Sequence, residues 1–401
     1  MLRRIGTAGS LAIVLIASVL IGASAAAKLA TVEVQTGAVH PDDPSKPYEY
    51  TRFYPDVIRV HRGQTIRWRT VGTAPAAGFH TITFAKSRPP FFRADEIPET
   101  YAATDAWAFG SNCGRNGLPA CVLKASTKFL SSGVPPFGSS PFEVKVDAPP
   151  GRYKFFCTVH PGMSGAVEVV TPRKPVPSQR QVKAQIASEV RRDSRAADAL
   201  FRADQRPVSS VDAEGRRVWR VLLGDSTVDD HVSLIAFLPT NLNVSAGDRV
   251  RYEYRSRIVN EIHSVTFPAE AVSVGAPVPT GLGDAAIFPA CDPDAGDGGL
   301  PGVRGLWNVP GGLNCPTTLE LLLSPWTTTA HPAPGNQVPT RLTYHDSGFL
   351  VPAKARAIYG VLPDTGRVLP SRFDAEFPAP GTFSYQCEVH VVPMTGSINV
   401  S

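Results

Sequence analysis

Runs of positive charge and long apolar segments are both scarce in this sequence of 401 residues. The formal net charge is +5, charged residues make up 19% of the chain, and no basic stretch is interleaved with aromatic side chains. Because nucleic-acid binding depends on clustered Lys and Arg, we set that class of function aside. Beyond the N-terminus, no apolar run is long enough to cross a bilayer.

The one long apolar run lies at the N-terminus. Arg3 and Arg4 are followed by an apolar stretch over 11–21 and by small residues over 23–27. This three-part pattern predicts an export signal over 1–27, and therefore a protein of the periplasm, the cell surface or the extracellular space. The alternative is an uncleaved membrane anchor, since the apolar stretch is only slightly short for a span. Contact with a membrane is expected only in that case.

Methionine is scarce, with three residues in the chain. Apart from the initiator, Met163 and Met394 each end a short segment. Residues 157–163 are Cys-Thr-Val-His-Pro-Gly-Met, and residues 387–394 are Cys-Glu-Val-His-Val-Val-Pro-Met. Each segment brings a thiolate, an imidazole and a thioether into one loop, and these ligands suit a soft, redox-active metal, above all copper.

Each segment needs one more ligand, and a histidine in a matching context precedes each. His80 lies in Gly-Phe-His-Thr-Ile-Thr-Phe and His263 in Glu-Ile-His-Ser-Val-Thr-Phe. After each histidine, apolar and small hydroxylated residues alternate, which is the period of a half-buried strand. Upstream, residues 53–68 align with residues 237–252 at an offset of 184 positions. We interpret this self-similarity as an internal duplication.

The composition favours an all-β fold interrupted by one helix. Proline (38) and glycine (34) are scattered among short β-branched and aromatic runs. Only after Pro177 do apolar residues recur at spacings of three, four or seven, which predicts an amphipathic helix from Gln179 to Gln205. We expect it to pack on one unit or to bridge two; the alternative is a basic face that binds a membrane or a partner. The expected units are 28–171 and 208–401, with 172–207 as the linker.

Six cysteines are present, and Cys157 and Cys387 belong to the two metal segments. In an exported protein the other four predict two disulfides, one in each half. The predicted pairs are Cys113–Cys121 and Cys291–Cys315. A further metal site at these cysteines is poorly supported, because no histidine lies close to either pair.

Together these features resemble the cupredoxins, the type-1 blue copper family that includes plastocyanin and amicyanin. The matching features are the Pro/aliphatic/Gly/aromatic segment, the strand that follows the first histidine, and the Cys-x-x-His loop with its downstream Met. They span most of both halves. The resemblance implies two tandem Greek-key β-sandwiches joined by the helical linker, each with one type-1 copper ion. It implies as ligands His80, Cys157, His160 and Met163 in the first half, and His263, Cys387, His390 and Met394 in the second.

The first loop is most similar to that of amicyanin. The second has one residue more between histidine and methionine, so the axial role of Met394 stays open.

The resemblance implies a carrier of single electrons between redox protein partners, and not an enzyme; the sequence does not indicate an oligomeric state. A copper enzyme of the two-domain nitrite reductase or multicopper oxidase type is one alternative. Those enzymes relay electrons through histidines that flank the cysteine, whereas Phe, Thr, Gln and Glu flank the two cysteines here and no His-x-His pair occurs. Copper storage or delivery is the other alternative. The remaining histidines are scattered singly and are expected at the surface: His40, His61, His231, His331 and His345.

Overall fold

The computed structural model of the protein describes most of the chain, in several segments. They are residues 31–71, 80–88, 113–114, 119–133, 141–158, 160, 162–258, 262–269, 334–341, 343, 345–355, 369–387, 390 and 394–401. The predicted export signal, the predicted Cys291–Cys315 disulfide and His331 lie outside these residues. Within the described segments, no helix is long and apolar enough to span a bilayer.

The first sandwich consists of two five-stranded sheets. Sheet I contains β1 (Thr31–Thr36), β3 (Phe53–Tyr54), β5 (Thr65–Thr70), β7 (Cys121–Leu123) and β9 (Phe142–Val146), in the order β3-β1-β5-β9-β7. Sheet II contains β4 (Val57–His61), β6 (Thr83–Ala85), β8 (Phe129–Ser131), β10 (Gly151–Phe156) and β11 (Ser164–Val170), in the order β4-β11-β10-β6-β8.

The second sandwich repeats this plan. Sheet III contains β12 (Val208–Val211), β13 (Arg217–Ser226), β14 (Ser233–Leu238), β16 (Arg249–Glu253) and β19 (Arg372–Glu376), together with β2 (Tyr48–Glu49) from early in the chain. Its order is β19-β16-β13-β14-β2, with β12 also paired to β13. Sheet IV contains β15 (Asn241–Val244), β17 (Thr266–Phe267), β18 (His345–Asp346), β20 (Gly381–Gln386) and β21 (Thr395–Val400), in the order β15-β21-β20-β17-β18. Two short 3-10 turns lie at Pro334–Asn336 and Ala353–Ala355.

The predicted all-β fold of two tandem Greek-key sandwiches with one helix between them is confirmed. The residue boundaries expected for the two units stay predictions.

Four buried aromatic side chains form equivalent cores in the two sandwiches. They are Phe53, Trp68, Phe84 and Phe155 in the first and Phe237, Tyr252, Phe267 and Tyr385 in the second. The ring of Phe155 lies 4.7 Å from that of Phe53, and the equivalent pair, Tyr385 and Phe237, lies 4.6 Å apart. Burying one such ring contributes about 1.5–3 kcal/mol. One ring of each core, Phe155 or Tyr385, lies near the end of β10 or β20, two residues before the cysteine of the metal segment.

In each core, one ring faces a glycine on the neighbouring strand. Gly165 pairs with Phe155, and Gly396 pairs with Tyr385. A Cβ atom on Gly165 would lie 2.5 Å from the Phe155 ring and 2.7 Å from the backbone oxygen of Asp56, and one on Gly396 would lie 2.4 Å from the Tyr385 ring. The core rings can occupy these positions only because the facing residues have no side chain.

Gly165→Ala should therefore destabilise the first sandwich by about 1–3 kcal/mol, the usual cost of overpacking a core. The matched control is Gly151→Ala in the same hairpin, where an added Cβ would meet Tyr153 at an ordinary 3.4 Å. Urea denaturation of both variants measures the difference. Equal stability of the two variants would contradict this account of the core.

The helix predicted after Pro177 is confirmed as α1 (Gln179–Asp204). Ser178 caps it: its hydroxyl accepts a hydrogen bond from the Gln181 amide, and the Gln181 side chain accepts one from the Ser178 amide. The first turns of α1 pack on the core of the first sandwich through Val182. The later turns take part in a third apolar cluster, which we call the joint. It contains Ala38, Tyr48, Tyr50, Tyr54, Val190, Ala197, Leu222, Val232, Leu234, Ala236 and Leu238.

The joint combines residues of both sandwiches with the helix, and β2 runs through it. Strand β2 pairs with β14 in antiparallel register, with Glu49 opposite Ser233 and Tyr48 opposite Leu234. The apolar stripe of α1 is thus buried between the sandwiches, as expected for a bridging helix. The two sandwiches therefore contact each other and the helix through the joint.

A buried acidic residue of α1 anchors the helix in the joint. Asp193 accepts hydrogen bonds from Arg52 and Tyr54 at 3.1 and 3.0 Å, and its side chain is 2% exposed. Burial alone would raise the pKa of Asp193, but His231, Arg192 and Arg52 outweigh it and lower the pKa to about 2. The ionised carboxylate therefore stabilises the docking of the helix.

Acid should weaken this anchor in a defined pH range. In the unfolded chain an Asp titrates near about 3.9, so the contribution of Asp193, about 2 kcal/mol, is complete above about pH 4 and is lost as the pH falls towards about 2. Asp193→Asn should remove this component, which denaturation curves between pH 2 and 7 would measure. Asp147→Asn is the control, because its partner Arg62 is exposed and solvent screens that pair. Parallel stability curves for the wild type and Asp193→Asn below pH 4 would refute the assignment.

Candidate metal centres

The candidate ligands of each sandwich come from adjoining ends of neighbouring strands. Cys157 directly follows β10, and His160 lies in the loop from β10 to β11. His80 precedes β6, which pairs antiparallel with β10. This pairing brings His80 next to Cys157, although 77 positions separate them. The second sandwich repeats the arrangement around β17, β20 and β21 with His263, Cys387 and His390.

Three donor atoms converge in the first sandwich. The Nδ1 atoms of His80 and His160 lie 3.1 Å apart, and the Sγ atom of Cys157 lies 4.0 Å and 3.6 Å from them. The three side chains are buried, with exposed fractions of 2%, 4% and 0% for His80, His160 and Cys157. The donors therefore face a small space closed to solvent.

The second triangle has almost the same dimensions. The Nδ1 atoms of His263 and His390 lie 3.1 Å apart, and Cys387 Sγ lies 3.9 Å and 3.7 Å from them. His263 and Cys387 are buried, whereas His390 is partly exposed. The two centres thus share a geometry but differ in their access to solvent.

These triangles have the size that a first-row metal ion requires. At protein zinc sites the ion lies about 2.0–2.1 Å from a histidine nitrogen and about 2.3 Å from a cysteine sulfur, so trigonal or tetrahedral angles place the donors about 3–4 Å apart. Two imidazoles and one thiolate in a trigonal arrangement are the principal ligands of blue copper sites. The residues at both centres therefore fit a copper ion.

The imidazoles favour the thiolate form of each cysteine. Burial raises the pKa of the Cys157 thiol, but hydrogen bonds from His160 and His80 and their positive charge outweigh burial and hold the pKa well below its usual range. The Cys387 thiol has a lowered pKa for the same reasons. Metals bind the thiolate, and a metal ion at either centre would take the place of the imidazole protons that face the sulfur.

The strand that carries the first histidine also contacts the cysteine directly. The Thr81 amide donates to Cys157 Sγ at 3.4 Å, and the Ser264 amide donates to Cys387 Sγ at 3.3 Å. In the first centre, Thr81 Oγ1 also accepts a hydrogen bond from the Thr158 amide at 2.8 Å. These contacts fix the distance between the histidine strand and the cysteine loop.

The two methionine loops are closed by the same backbone hydrogen bonds, although their lengths differ. The Cys157 amide donates to the Met163 carbonyl, and the Cys387 amide donates to the Met394 carbonyl, both at 3.0 Å. The methionine amides donate in turn to the histidine carbonyls of their loops, at 3.0 and 3.2 Å. Both methionine side chains are buried. The extra residue of the second loop leaves the loop ends in place, and the axial roles of Met163 and Met394 stay predictions.

Arg88 holds the first loop from the side. Its guanidinium donates to the carbonyl oxygens of Cys157, of His160 at 2.8 Å and of Met163 at 3.1 Å, and it stacks over the Phe156 ring. Sequence reasoning missed this residue. The one hint in the sequence is that Arg88 lies eight residues after His80, just beyond the strand that follows this histidine and pairs with the cysteine strand.

Two buried carboxyl groups near the centres were also missed, and they distinguish the two sites. Glu49 Oε1 lies 3.0 Å from His160 Nε2 in the first centre. In the second sandwich, Asp346 is buried and accepts a hydrogen bond from Thr266, and burial raises its pKa to about 7. The first sandwich has Ser131 at the position of Asp346, since Ser131 pairs with Thr83 as Asp346 pairs with Thr266.

The other histidines are not all at the surface, contrary to expectation. His40 contacts Asp198 and is 6% exposed, and His345 is fully buried, where burial lowers its pKa to about 4. His345 occupies a strand position next to the ring of Phe373. His61 and His231 are only partly buried, as expected for residues near the surface.

The predicted Cys113–Cys121 disulfide forms, and it links the start of β7 to the preceding segment. Cys157 and Cys387 carry free thiols, as their assignment to the metal segments requires.

No protein-family model matches the chain, and no curated protein matches it. Parts of the chain are similar to solved structures. Plastocyanin of Dryopteris crassirhizoma shares 23% identity, over 35% of this chain and 100% of that chain, with a TM-score of 0.20. Auracyanin A of Chloroflexus aurantiacus, described as a "blue" copper protein, shares 15% identity over 46% of this chain and 98% of its own, with a TM-score of 0.19. Pseudoazurin of Methylobacterium extorquens AM1 shares 17% identity over 40% of this chain and 99% of its own, with a TM-score of 0.20. Likeness at this level says nothing about the function of this chain.

Arg88→Met should weaken metal binding at the first candidate centre by about 10–100-fold, the usual effect of removing a group that holds metal ligands in place. The reason is the loss of the three carbonyl contacts of the ligand loop. Lys86→Met is the matched control, because it removes the same charge from an exposed position two residues away. Competition titrations with a copper chelator measure both affinities. Equal affinities in the two variants would show that Arg88 does not position the loop.

Proposed function

We propose that the protein is an exported electron carrier that holds one type-1 copper ion in each sandwich and passes single electrons between redox partners. The observation that carries this proposal is the recurrence of one donor triangle, two histidine nitrogens and a cysteine sulfur, in equivalent loops of both sandwiches. In each sandwich the three donor atoms lie 3.1–4.0 Å apart, which is the spacing that one metal ion requires. The tandem cupredoxin-like organisation, with units at 28–171 and 208–401, belongs to this proposal.

Copper, when bound, would supply a one-electron couple. The residues of the chain hold the donor atoms so that both oxidation states can be accommodated with little movement. The closing hydrogen bonds of the two loops, at 3.0 Å each, fix the cysteine relative to the methionine. The aromatic cores behind β10 and β20 keep water away from the cysteine side of each centre. Ligands that are fixed in place and shielded from water on the cysteine side suit electron transfer better than they suit substrate binding.

The two centres are suited to different tasks. The partly exposed His390 gives a redox partner a short path to the second centre, whereas His160 is 4% exposed. The buried Asp346 near the second centre has only Ser131 as its counterpart near the first. We therefore expect unequal reduction potentials, with the second centre as the contact point for a partner outside the molecule.

Export of the protein belongs to the same proposal. The Cys113–Cys121 disulfide supports it, because disulfides form and persist in oxidising compartments.

An enzyme with a catalytic copper has less support. The sequence contains no His-x-His pair. Among the described residues, the one further group of possible metal ligands is Asp193, Asp229 and His231. Asp193 is already paired with Arg52 and Arg192, so this group is better explained as an ion-pair network.

Copper counts and spectra of single-cysteine variants test the proposal. The wild type should bind two copper ions per chain with intense blue absorption, and Cys157→Ser and Cys387→Ser should each retain one. Spin-resonance spectra of the two variants should add up to that of the wild type. Redox titration of each variant then gives the potential of the remaining centre.

Loosely held copper without blue absorption would refute the electron carrier. Identical potentials in the two variants, without electron exchange between the centres of the wild type, would refute the division of tasks.

A further inference from the structure

Strand β2 belongs to the first sandwich by sequence and to the second by hydrogen bonding. Glu49 pairs with Ser233, and the Ile235 amide donates to the Pro47 carbonyl at 2.7 Å. Beside it, the Tyr48 hydroxyl donates to Asp198 of α1, and the Thr51 hydroxyl donates to the Asp230 carbonyl. The backbone of Glu49 is therefore held by the second sandwich and the helix.

The side chain of Glu49 points the other way, into the first centre. Its Oε1 atom lies 3.0 Å from His160 Nε2 and 4.0 Å from His80 Nε2. Glu49 is 4% exposed, and within the described segments its ion-pair partners are these two imidazoles. A buried carboxylate is costly unless it is compensated, so this contact needs a reason.

The contact between Glu49 and His160 is short but not well aligned as a hydrogen bond. Oε1 makes no hydrogen bond of good geometry, although the distance to Nε2 is short. The distance of 3.0 Å is that of a hydrogen bond, and a small rotation of the ring would align the two groups.

The proton positions of the imidazoles explain the contact. Both Nδ1 atoms face Cys157 Sγ and each other, so these nitrogens must carry no proton when they bind a metal. The proton of a neutral ring then lies on Nε2, which is the atom that faces Glu49. A carboxylate at this place fixes the tautomer and the orientation of the ring.

The second sandwich offers an internal comparison. Residues 49–55 align with residues 233–239, so the counterpart of Glu49 is Ser233, its own pairing partner across the joint. The equivalent positions of the two sandwiches thus pair with each other, and only the one in the first sandwich has a carboxylate.

We propose that Glu49 is a positioning residue of the first centre, and that it makes copper binding and the reduction potential there depend on the docking of the second sandwich. This inference rests on the proposed function. Glu49 holds the Nε2 side of His160, and its negative charge favours the more positive, oxidised ion. The second centre has no such dependence through Ser233.

Glu49→Gln and Glu49→Ser, each made in the full chain with Cys387→Ser, test the proposal on the first centre alone. Glu49→Gln keeps a hydrogen-bond acceptor but loses the charge, so the potential should rise while copper affinity changes little. Glu49→Ser copies the second sandwich, so the potential should rise and the affinity should fall by about 10–100-fold. Redox titration and chelator competition measure the two quantities.

The second centre and the histidine ring are the controls. In the chain with Cys157→Ser, Glu49→Ser should leave the potential and the spectrum of the second centre unchanged. NMR of the metal-free protein should show a protected His160 Nε2 proton that Glu49→Gln keeps and Glu49→Ser loses.

Potentials and affinities equal to those of the Cys387→Ser parent would overturn the role of Glu49, and so would equal shifts at both centres. If the parent itself bound no copper, the proposed function would fail, and the His160 proton would still decide whether Glu49 holds the ring.

Discussion

Each loop from cysteine to methionine depends on one hydrogen bond, which the cysteine amide donates to the methionine carbonyl. It measures 3.0 Å in both sandwiches, although one loop is a residue longer. The bond extends the β10–β11 and β20–β21 ladders by one step, so the cysteine is held as rigidly as a strand residue while the histidine lies on the loop beyond it. Histidine, cysteine and methionine keep their relative positions because the register of the strand ladder is the same in both sandwiches.

The same ladders connect the centres to the cores. Phe155 and Tyr385 precede the cysteines by two residues, on the inner face of the sheet, and each is accommodated by a glycine on the next strand. Core packing and ligand placement are therefore set by one register. A slip of one residue would move the aromatic ring out of the core and the thiolate out of the centre together.

Much of this arrangement could be predicted from the sequence because its signals are local. The Cys-x-x-His segments, the alternating strand after His80 and His263, and the helix after Pro177 all depend on spacings within a few residues. Glu49 and Arg88 could not be found in this way. Glu49 reaches the first centre because β2 crosses to the other sandwich, and a two-residue strand has no periodicity to detect. His345 was misplaced for a related reason: a single polar residue in a short segment looks exposed, although the strand there is buried on both faces.

The pairing of Glu49 with Ser233 joins two copies of the same position. Contacts in which a residue meets its own equivalent are the mark of a two-fold symmetric homodimer. At this contact one polypeptide has the local arrangement of a two-fold interface, with α1 packed beside it. Within one chain the two copies of the position need not be identical. In a homodimer a carboxylate here would appear at both candidate centres, but here one copy is Glu49 and the other is Ser233. Two equivalent sites in one chain can in this way differ in chemistry while they share one interface.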